Sequence, residues 1–421
     1  MLSKDMRVLL GHFAQLAFLK AISRVLPLVT IPFLVRTIGV CQYGTLEFVK
    51  SLSFYFTTLI SYGFQYSSTR DISQHRDDKK TIGTLLGAVY TIKLAAILAS
   101  CVIMWLLIYW VPSIRQVESY CWVFLAVVTA SALFPVFVFQ GLDKMKWATI
   151  LNLIGKLLYL VSIFVFVRRP SDAILVPLLL ALTDTIRLVL SCTIVYYVFD
   201  LRLYRPTWSL ICAQIREGWH LFFSQLSIIF YTPLPAIFLG FFIGPDSVAI
   251  YSLGDKIVRT TITMIDPFTR ALFPIASKRM LQNPQAGLQF ITKMACMSLL
   301  VLLFISLSYW ILAPRIMGLL TVNPVPEAVY IFRLHAFLPC FIIVSSILGV
   351  AGLIPAGVGS RYTLTMVMAG LICTLLHFIL VPGMEARGAA WSMLICEIFA
   401  TLMLIFWTLQ TYRKAVAVGV S

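Results

Sequence analysis

The sequence predicts an all-α polytopic membrane protein, with about twelve transmembrane helices in two six-helix lobes around a central cationic cavity. Three observations carry this prediction. Of the 421 residues, 60% are hydrophobic and only 12% charged, about half the charged share of a soluble domain; mean hydropathy is +0.93. The apolar residues run in long unbroken stretches, whereas a membrane β-barrel shows alternating segments of about 10 residues. The two halves of the chain also resemble each other faintly. A soluble enzyme, a secreted module and a disordered chain are excluded, because folded soluble proteins need far more polar surface.

A bilayer core of about 30 Å requires about 20 apolar residues per helix. The first six expected spans are 8–37, 45–69, 81–110, 118–140, 147–167 and 173–199. The second six are 215–243, 247–275, 289–313, 327–353, 361–381 and 387–410. The corresponding domains are 1–205 and 206–421, joined by short connections. The first run is too long for a cleaved signal peptide and lacks an Ala-x-Ala site, so it is expected to remain a membrane helix.

Charge tests this topology. With both termini cytoplasmic, sixteen basic residues fall on the cytoplasmic side, among them Arg70, Arg76, Lys79, Lys80, Arg202 and Arg205, and six on the other. This is the expected positive-inside bias. The span 247–275 is the most polar, holding Asp255, Lys256, Arg259, Asp266 and Arg270, and an interfacial helix is its competing reading. The internal repeat favours a span. Ile38-Gly39 before Lys50 matches Ile243-Gly244 before Lys256. Arg76 matches Arg279, and Thr91-Ile-Lys93-Leu-Ala matches Ile291-Thr-Lys293-Met-Ala. Two parallel repeats facing each other would leave a cavity between them.

Ionisable residues at membrane depth are costly and usually face a cavity. Lys20 and Arg24 are four apart, hence on one helix face, and Pro27 and Pro32 would bend that helix. Lys256 and Arg259 are three apart, and Arg270 returns to their face three turns later. Lys50, Lys93 and Lys156 stand in apolar surroundings, and each has two readings: a cavity position, or snorkelling to the headgroups. Asp184 and Arg187 can pair within their helix. Asp184, Asp266 and Glu397 are candidate ion-coupling acids or counter-ions for nearby bases. A cavity rich in Lys and Arg suits an anionic substrate, since guanidinium forks match phosphate oxygens.

Other chemistries find no pattern. There is no Walker loop, no His-Glu-x-x-His and no G-x-S-x-G. The five histidines are dispersed, so no metal or other cofactor is expected. His335 and Arg333 read as packing or interface residues. No basic run or zinc finger points to nucleic acid. The nine cysteines, odd in number and mostly within apolar runs, read as small packing residues. Trp105, Trp110, Trp122, Trp310 and Trp407 read as interface anchors, and Gly83-x-x-x-Gly87 as close helix packing.

Several stretches resemble the Wzx-type O-antigen flippases. They are Leu26-Pro-Leu-Val-Thr-Ile-Pro-Phe-Leu-Val-Arg-Thr-Ile-Gly39 with Tyr43-Gly44, Ser61-Tyr-Gly-Phe-Gln-Tyr-Ser-Ser-Thr-Arg70-Asp-Ile-Ser, Phe139-Gln-Gly-Leu-Asp-Lys-Met-Lys-Trp147, and Gly388-Ala-Ala-Trp-Ser-Met-Leu-Ile-Cys-Glu397. The resemblance covers nearly the whole chain. It implies the polysaccharide-transporter branch of the multidrug/oligosaccharidyl-lipid/polysaccharide superfamily and a bacterial inner-membrane location. The implied function is ion-coupled, alternating-access transfer of undecaprenyl-pyrophosphate-linked oligosaccharide from the cytoplasmic to the periplasmic leaflet. Arg24 falls where related flippases keep a first-helix arginine facing pyrophosphate, and Arg259 and Arg270 fall where a similar role is implied. Membrane lipid and functional partnership with the polymerase and chain-length regulator of the pathway are implied as well. Three alternatives remain: a flippase for capsule or another exopolysaccharide, a drug/cation antiporter, and a polysaccharide polymerase. The antiporter would want more acids and fewer bases in its cavity. The polymerase would carry one long outer loop, and every outer loop expected here is short.

Overall fold

In the computed structural model the description covers residue 26 and residues 28–229, 232–321 and 325–419; some side chains within these, Asp266 and Arg270 among them, lie outside it. All regular elements among the described residues are helical. The chain forms two compact units, Met1–Ile229 and Phe230–Ser421.

Unit 1 begins with α1 (Leu28–Ile38) and α2 (Val40–Ser61), joined at Gly39, whose φ of +83° suits glycine. Tyr62 and Gly63 are both left-handed and turn the chain into α3 (Phe64–Gln74). The Asp78 side chain accepts from the Lys80 and Thr81 amides and caps α4 (Lys79–Trp110), supplying partners for N–H groups that a helix start leaves open. The short α5 (Pro112–Arg115) leads to α6 (Glu118–Leu133). Pro135 breaks that helix, because it has no amide to donate and disfavours helix in the residue before it. The chain resumes as α7 (Val136–Gly141), then α8 (Met145–Phe166) and α9 (Leu175–Thr193), which ends in a wide turn over Ile194–Val198.

An extended segment, 199–207, then crosses α4 before α10 (Trp208–Ile229). This crossing replaces the reading of Gly83 and Gly87 as a helix–helix contact. Tyr204 N donates to Gly83 O (3.2 Å), and a Cβ at Gly83 or Gly87 would overlap the carbonyl oxygen of Arg202 or Tyr204. Small residues let another backbone come close, and here that backbone is extended. Phe64, Ile82, Leu86, Phe137, Phe139 and Leu201 lie in one core cluster behind it. The boundary expected at 205/206 lies before α10, whereas α10 packs on α2, α3 and α4 and the units divide at 229/230.

Unit 2 contains α11 (Leu234–Phe242), α12 (Pro245–Gln282), α13 (Pro284–Leu320), α14 (Pro326–His335) and α15 (Leu338–Ser346). A wide-turn segment, Ile347–Leu353, precedes α16 (Gly359–Gly419). Gly244, at φ +137°, joins α11 to α12 as Gly39 joins α1 to α2. The repeat read from the sequence thus has the same local backbone device in each unit. α12 is helical throughout despite Pro267 and Pro274, and it contacts every other helix of its unit. α16 holds two helices end to end, with a break at Glu385 (φ +47°) after Pro382.

Seven helical segments are long and apolar enough to cross a membrane: Lys79–Trp110, Glu118–Gly141, Met145–Phe166, Pro170–Val198, Gln285–Leu320, Pro326–Leu353 and Gly359–Arg413. The last contains both of the final expected spans. The expected spans 45–69, 215–243 and 247–275 fall on helices that are shorter or more polar, and most of 8–37 lies outside the described residues. Lipid-facing stripes are evident: Leu94, Leu98, Val102, Trp105 and Tyr109 are exposed along α4, as are Leu300, Phe304, Leu307 and Ile311 along α13. Apolar side chains at helical spacing on an outer surface are what hydrocarbon requires.

Candidate functional site

Each unit contains one polar cluster surrounded by apolar helices. In unit 1, α8 presents Asn152, Lys156 and Tyr159 at intervals of three and four residues, so they share a face. α9 presents Asp184 and Arg187 one turn apart. Arg187 Nη2 lies 3.2 Å from Asp184 Oδ1, and Nη1 donates to Asn152 Oδ1 at 2.7 Å. The guanidinium carbon stands 4.8 Å from the centre of the Phe134 ring, a cation–π distance. Lys156 attracts the Asp184 carboxylate. Glu47 on α2 is an electrostatic neighbour of Tyr159 and pairs with Lys50 at 3.1 Å. One donor, Arg187 Nε, is buried without an acceptor among the described residues.

In unit 2, Tyr251, Asp255 and Arg259 occupy successive turns of one face of α12. Asp255 uses both oxygens. Oδ2 accepts from Arg259 Nε at 2.9 Å, and Oδ1 lies 2.8 Å from Nδ1 of the fully buried His335 on α14. His335 Nε2 is 3.4 Å from the Ala390 carbonyl oxygen. One ring nitrogen thus faces the Asp255 carboxylate and the other the Ala390 carbonyl. The Tyr251 ring meets His335 edge-on, 5.5 Å between centroids. Glu397, buried on α16, is an electrostatic neighbour of Arg259. Arg259 Nη2 and the Tyr251 hydroxyl are both buried, neither meets the full hydrogen-bond geometry with a partner among the described residues, and the two groups are close electrostatic neighbours of each other.

The structure thus brings together Lys156, Asp184 and Arg187 in unit 1, and Arg259 and Glu397 in unit 2. Lys256 follows Asp255 on α12, half-buried. Lys93 has a different setting: it is 4% exposed, Nζ donates to Ala132 O at 2.6 Å, and the rings of Tyr90 and Phe137 flank it. That is neither a headgroup position nor an open cavity. Lys20 and Arg24 lie outside the described residues, as do the side chains of Asp266 and Arg270. The sequence reading missed Asn152, Asp255 and His335. Asp255 and Arg259 at i and i+4 were a legible pair. Asn152 and His335 join their clusters only through helix packing, and spacing along the chain carries no trace of that.

Charge also redistributes. Lys50, Arg187 and Arg259 each have a carboxylate one turn away. The cationic excess is therefore smaller than a count of bases implies. What the clusters offer an anion is directed N–H donors, and in low dielectric a hydrogen bond to a charged oxygen is strong.

Membrane-length apolar helices, two units with a repeated junction and buried charge clusters define a polytopic membrane transporter fold. An inward-facing MATE family transporter of the MOP superfamily has the same fold, with a TM-score of 0.70 at 15% identity over 94% of this chain and 99% of the other. The lipid II flippase MurJ, inward closed, gives a TM-score of 0.65 at 11% identity over 96% and 90%. Residues 10–280 match the family described as polysaccharide biosynthesis protein, and the chain belongs to that family. A relative from Escherichia coli (strain K12), named "Putative O-antigen transporter", is 27% identical over 93% of this chain and 94% of its own. One of the same name from Shigella dysenteriae is 23% identical over 92% and 96%. These findings bear out the family resemblance and the all-helical membrane fold read from the residues.

Proposed function

We propose that the protein is a flippase that carries a polyprenyl-pyrophosphate-linked oligosaccharide of the O-antigen type from the cytoplasmic to the periplasmic leaflet of the inner membrane. The observation that carries this reading is a buried guanidinium donor without an acceptor among the described residues, Arg187 Nε. A buried donor left open costs about 1–3 kcal/mol, and a pyrophosphate oxygen would satisfy it. The names of the two relatives support the oligosaccharide part of the reading. Within unit 1, Arg187 with Lys156 is a proposed pyrophosphate contact, and within unit 2 Arg259 with Lys256 is another; Lys20, Arg24 and Arg270, outside the described side chains, are further proposed contacts. The sugar stays hydrated and the polyprenyl tail stays in lipid. The two lobes rock to expose the substrate alternately.

Return of the empty carrier requires an ion or a supply gradient, since a ligand shifts an equilibrium only by differential affinity. Asp184, Glu397 and, outside the described side chains, Asp266 are the proposed proton acceptors.

The test is the sidedness of lipid-linked units in a strain that lacks this protein. Units trapped on the cytoplasmic face, and restored to the outer face by the gene in trans, are the expected result. Units that reach the outer face but stay unpolymerised would replace the flippase reading with a polymerase.

A further inference from the structure

A cleft of about 470 Å³ opens on unit 1 where α4, the α6–α7 junction, the wide turn Ile194–Val198 and segment 199–207 meet. Its size is within the roughly 300–1,000 Å³ of small-molecule pockets. Leu86, Val138, Val195 and Leu201 form its apolar wall, and Arg202 lines it from an exposed position. Neither buried cluster contributes a residue to it.

Two features show that the cleft is held open by the fold. The 202–204 backbone lies directly on Gly83 and Gly87, so it cannot sink further into α4 without clashing. The nearest acid in sequence, Asp200, pairs with Lys79 Nζ at 3.0 Å and also attracts Arg202, which makes no direct ion pair among the described residues. Beside the cleft Tyr197 is 75% exposed and Val198 59% exposed, as residues bathed in lipid would be.

We infer that this cleft binds an anionic diacyl glycerophospholipid, with one acyl chain against the apolar wall and the phosphate on Arg202. Hydrocarbon walls offer an acyl chain burial and offer a glycan almost no hydrogen bonds. A basic side chain at the mouth of a cleft beside transmembrane helices suits a lipid phosphate, and the Arg202 guanidinium can grip two of its oxygens. A zwitterionic lipid brings its own ammonium to the same phosphate and gains less from Arg202.

Cys192 lines the cleft and reports on occupancy. The full chain is placed in nanodiscs of phosphatidylglycerol or of phosphatidylcholine. Alkylation by a membrane-permeant maleimide is followed at Cys192 by peptide mass spectrometry, with the exposed Cys212 as reference. Relative to Cys212, labelling of Cys192 is expected to be about tenfold slower in phosphatidylglycerol, the effect of about 1.4 kcal/mol of added binding. Arg202→Gln is expected to abolish the difference, and Arg202→Lys to keep most of it. Equal rates in the two lipids would overturn the inference, as would a difference that survives Arg202→Gln. Undecaprenyl phosphate protecting in phosphatidylcholine discs as well as phosphatidylglycerol does would overturn it in another way, giving the cleft to a polyprenyl chain.

Discussion

Asp255 serves two partners, and its removal would strand both. Arg259 and His335 each direct a donor at its carboxylate, at 2.9 and 2.8 Å. Breaking a buried pair by removing one partner costs about 3–5 kcal/mol, mostly because a charge is left unmatched. Asp255→Asn is therefore expected to lower the unfolding temperature in detergent markedly. Glu47→Gln is expected to change it little, because Lys50 is half-exposed and such pairs contribute about 0–1 kcal/mol. Comparable losses in the two variants would refute this weighting. Lys93 gives a second residue-scale test. Its ammonium is sealed against Ala132 O and two rings, so Lys93→Met is expected to keep transport, whereas Arg187→Met is expected to lose it. Transport abolished by Lys93→Met, in protein that still folds, would return Lys93 to the substrate path. The sequence marked Lys93 as a lone base in an apolar run and Arg187 as a base with Asp184 one turn away, and both as cavity candidates. Only packing separates a cation sealed by a carbonyl and two rings from one with an unused donor.

Among the elements, α4 bears the clearest local signals and one misread one. The Asp78 cap was within reach of the sequence, with Thr81 three residues on. The Thr81 hydroxyl, followed by the Thr81 amide, holds the Asp78 carboxyl below the usual aspartate range. A depressed acid contributes stability above its unfolded pKa and loses it as pH falls through the folded value. Amide protection at Lys80 and Thr81 is thus expected to be intact at neutral pH and to fade in strong acid; protection that does not vary with pH would contradict the cap. The glycine pair was visible but its partner was not, since any close backbone asks for the same small residues. Gly83→Val is expected to push segment 199–207 off α4, at a cost of about 1–3 kcal/mol for overpacking. Limited proteolysis checks this: new cleavage should appear within 199–207 in Gly83→Val and not in Thr84→Val. Spans 45–69 and 215–243 were read as single helices. The breaks at Tyr62–Gly63 and before α11 divide them, because hydropathy measures apolar length and is blind to backbone direction.

For the whole molecule, composition sufficed to identify the membrane class, and the repeated Ile-Gly junction was legible at Gly39 and Gly244 before any coordinates. The polar clusters were half legible: their bases and the acids Asp184 and Glu397 stood out against apolar runs, but Asn152 and His335, which join only through helix packing, did not. That difference matters for function, because a cluster of matched charges with a few open donors can release an anion that a field of bare cations would hold. The most direct measurement uses purified protein in proteoliposomes loaded with a polyprenyl-pyrophosphate-linked oligosaccharide. The fraction reached by an external lectin is followed after a pH gradient is imposed. The account predicts gradient-dependent transfer that is lost in Arg187→Met and Arg259→Met and insensitive to the gradient in Glu397→Gln. Transfer at the wild-type rate in both arginine variants would contradict it.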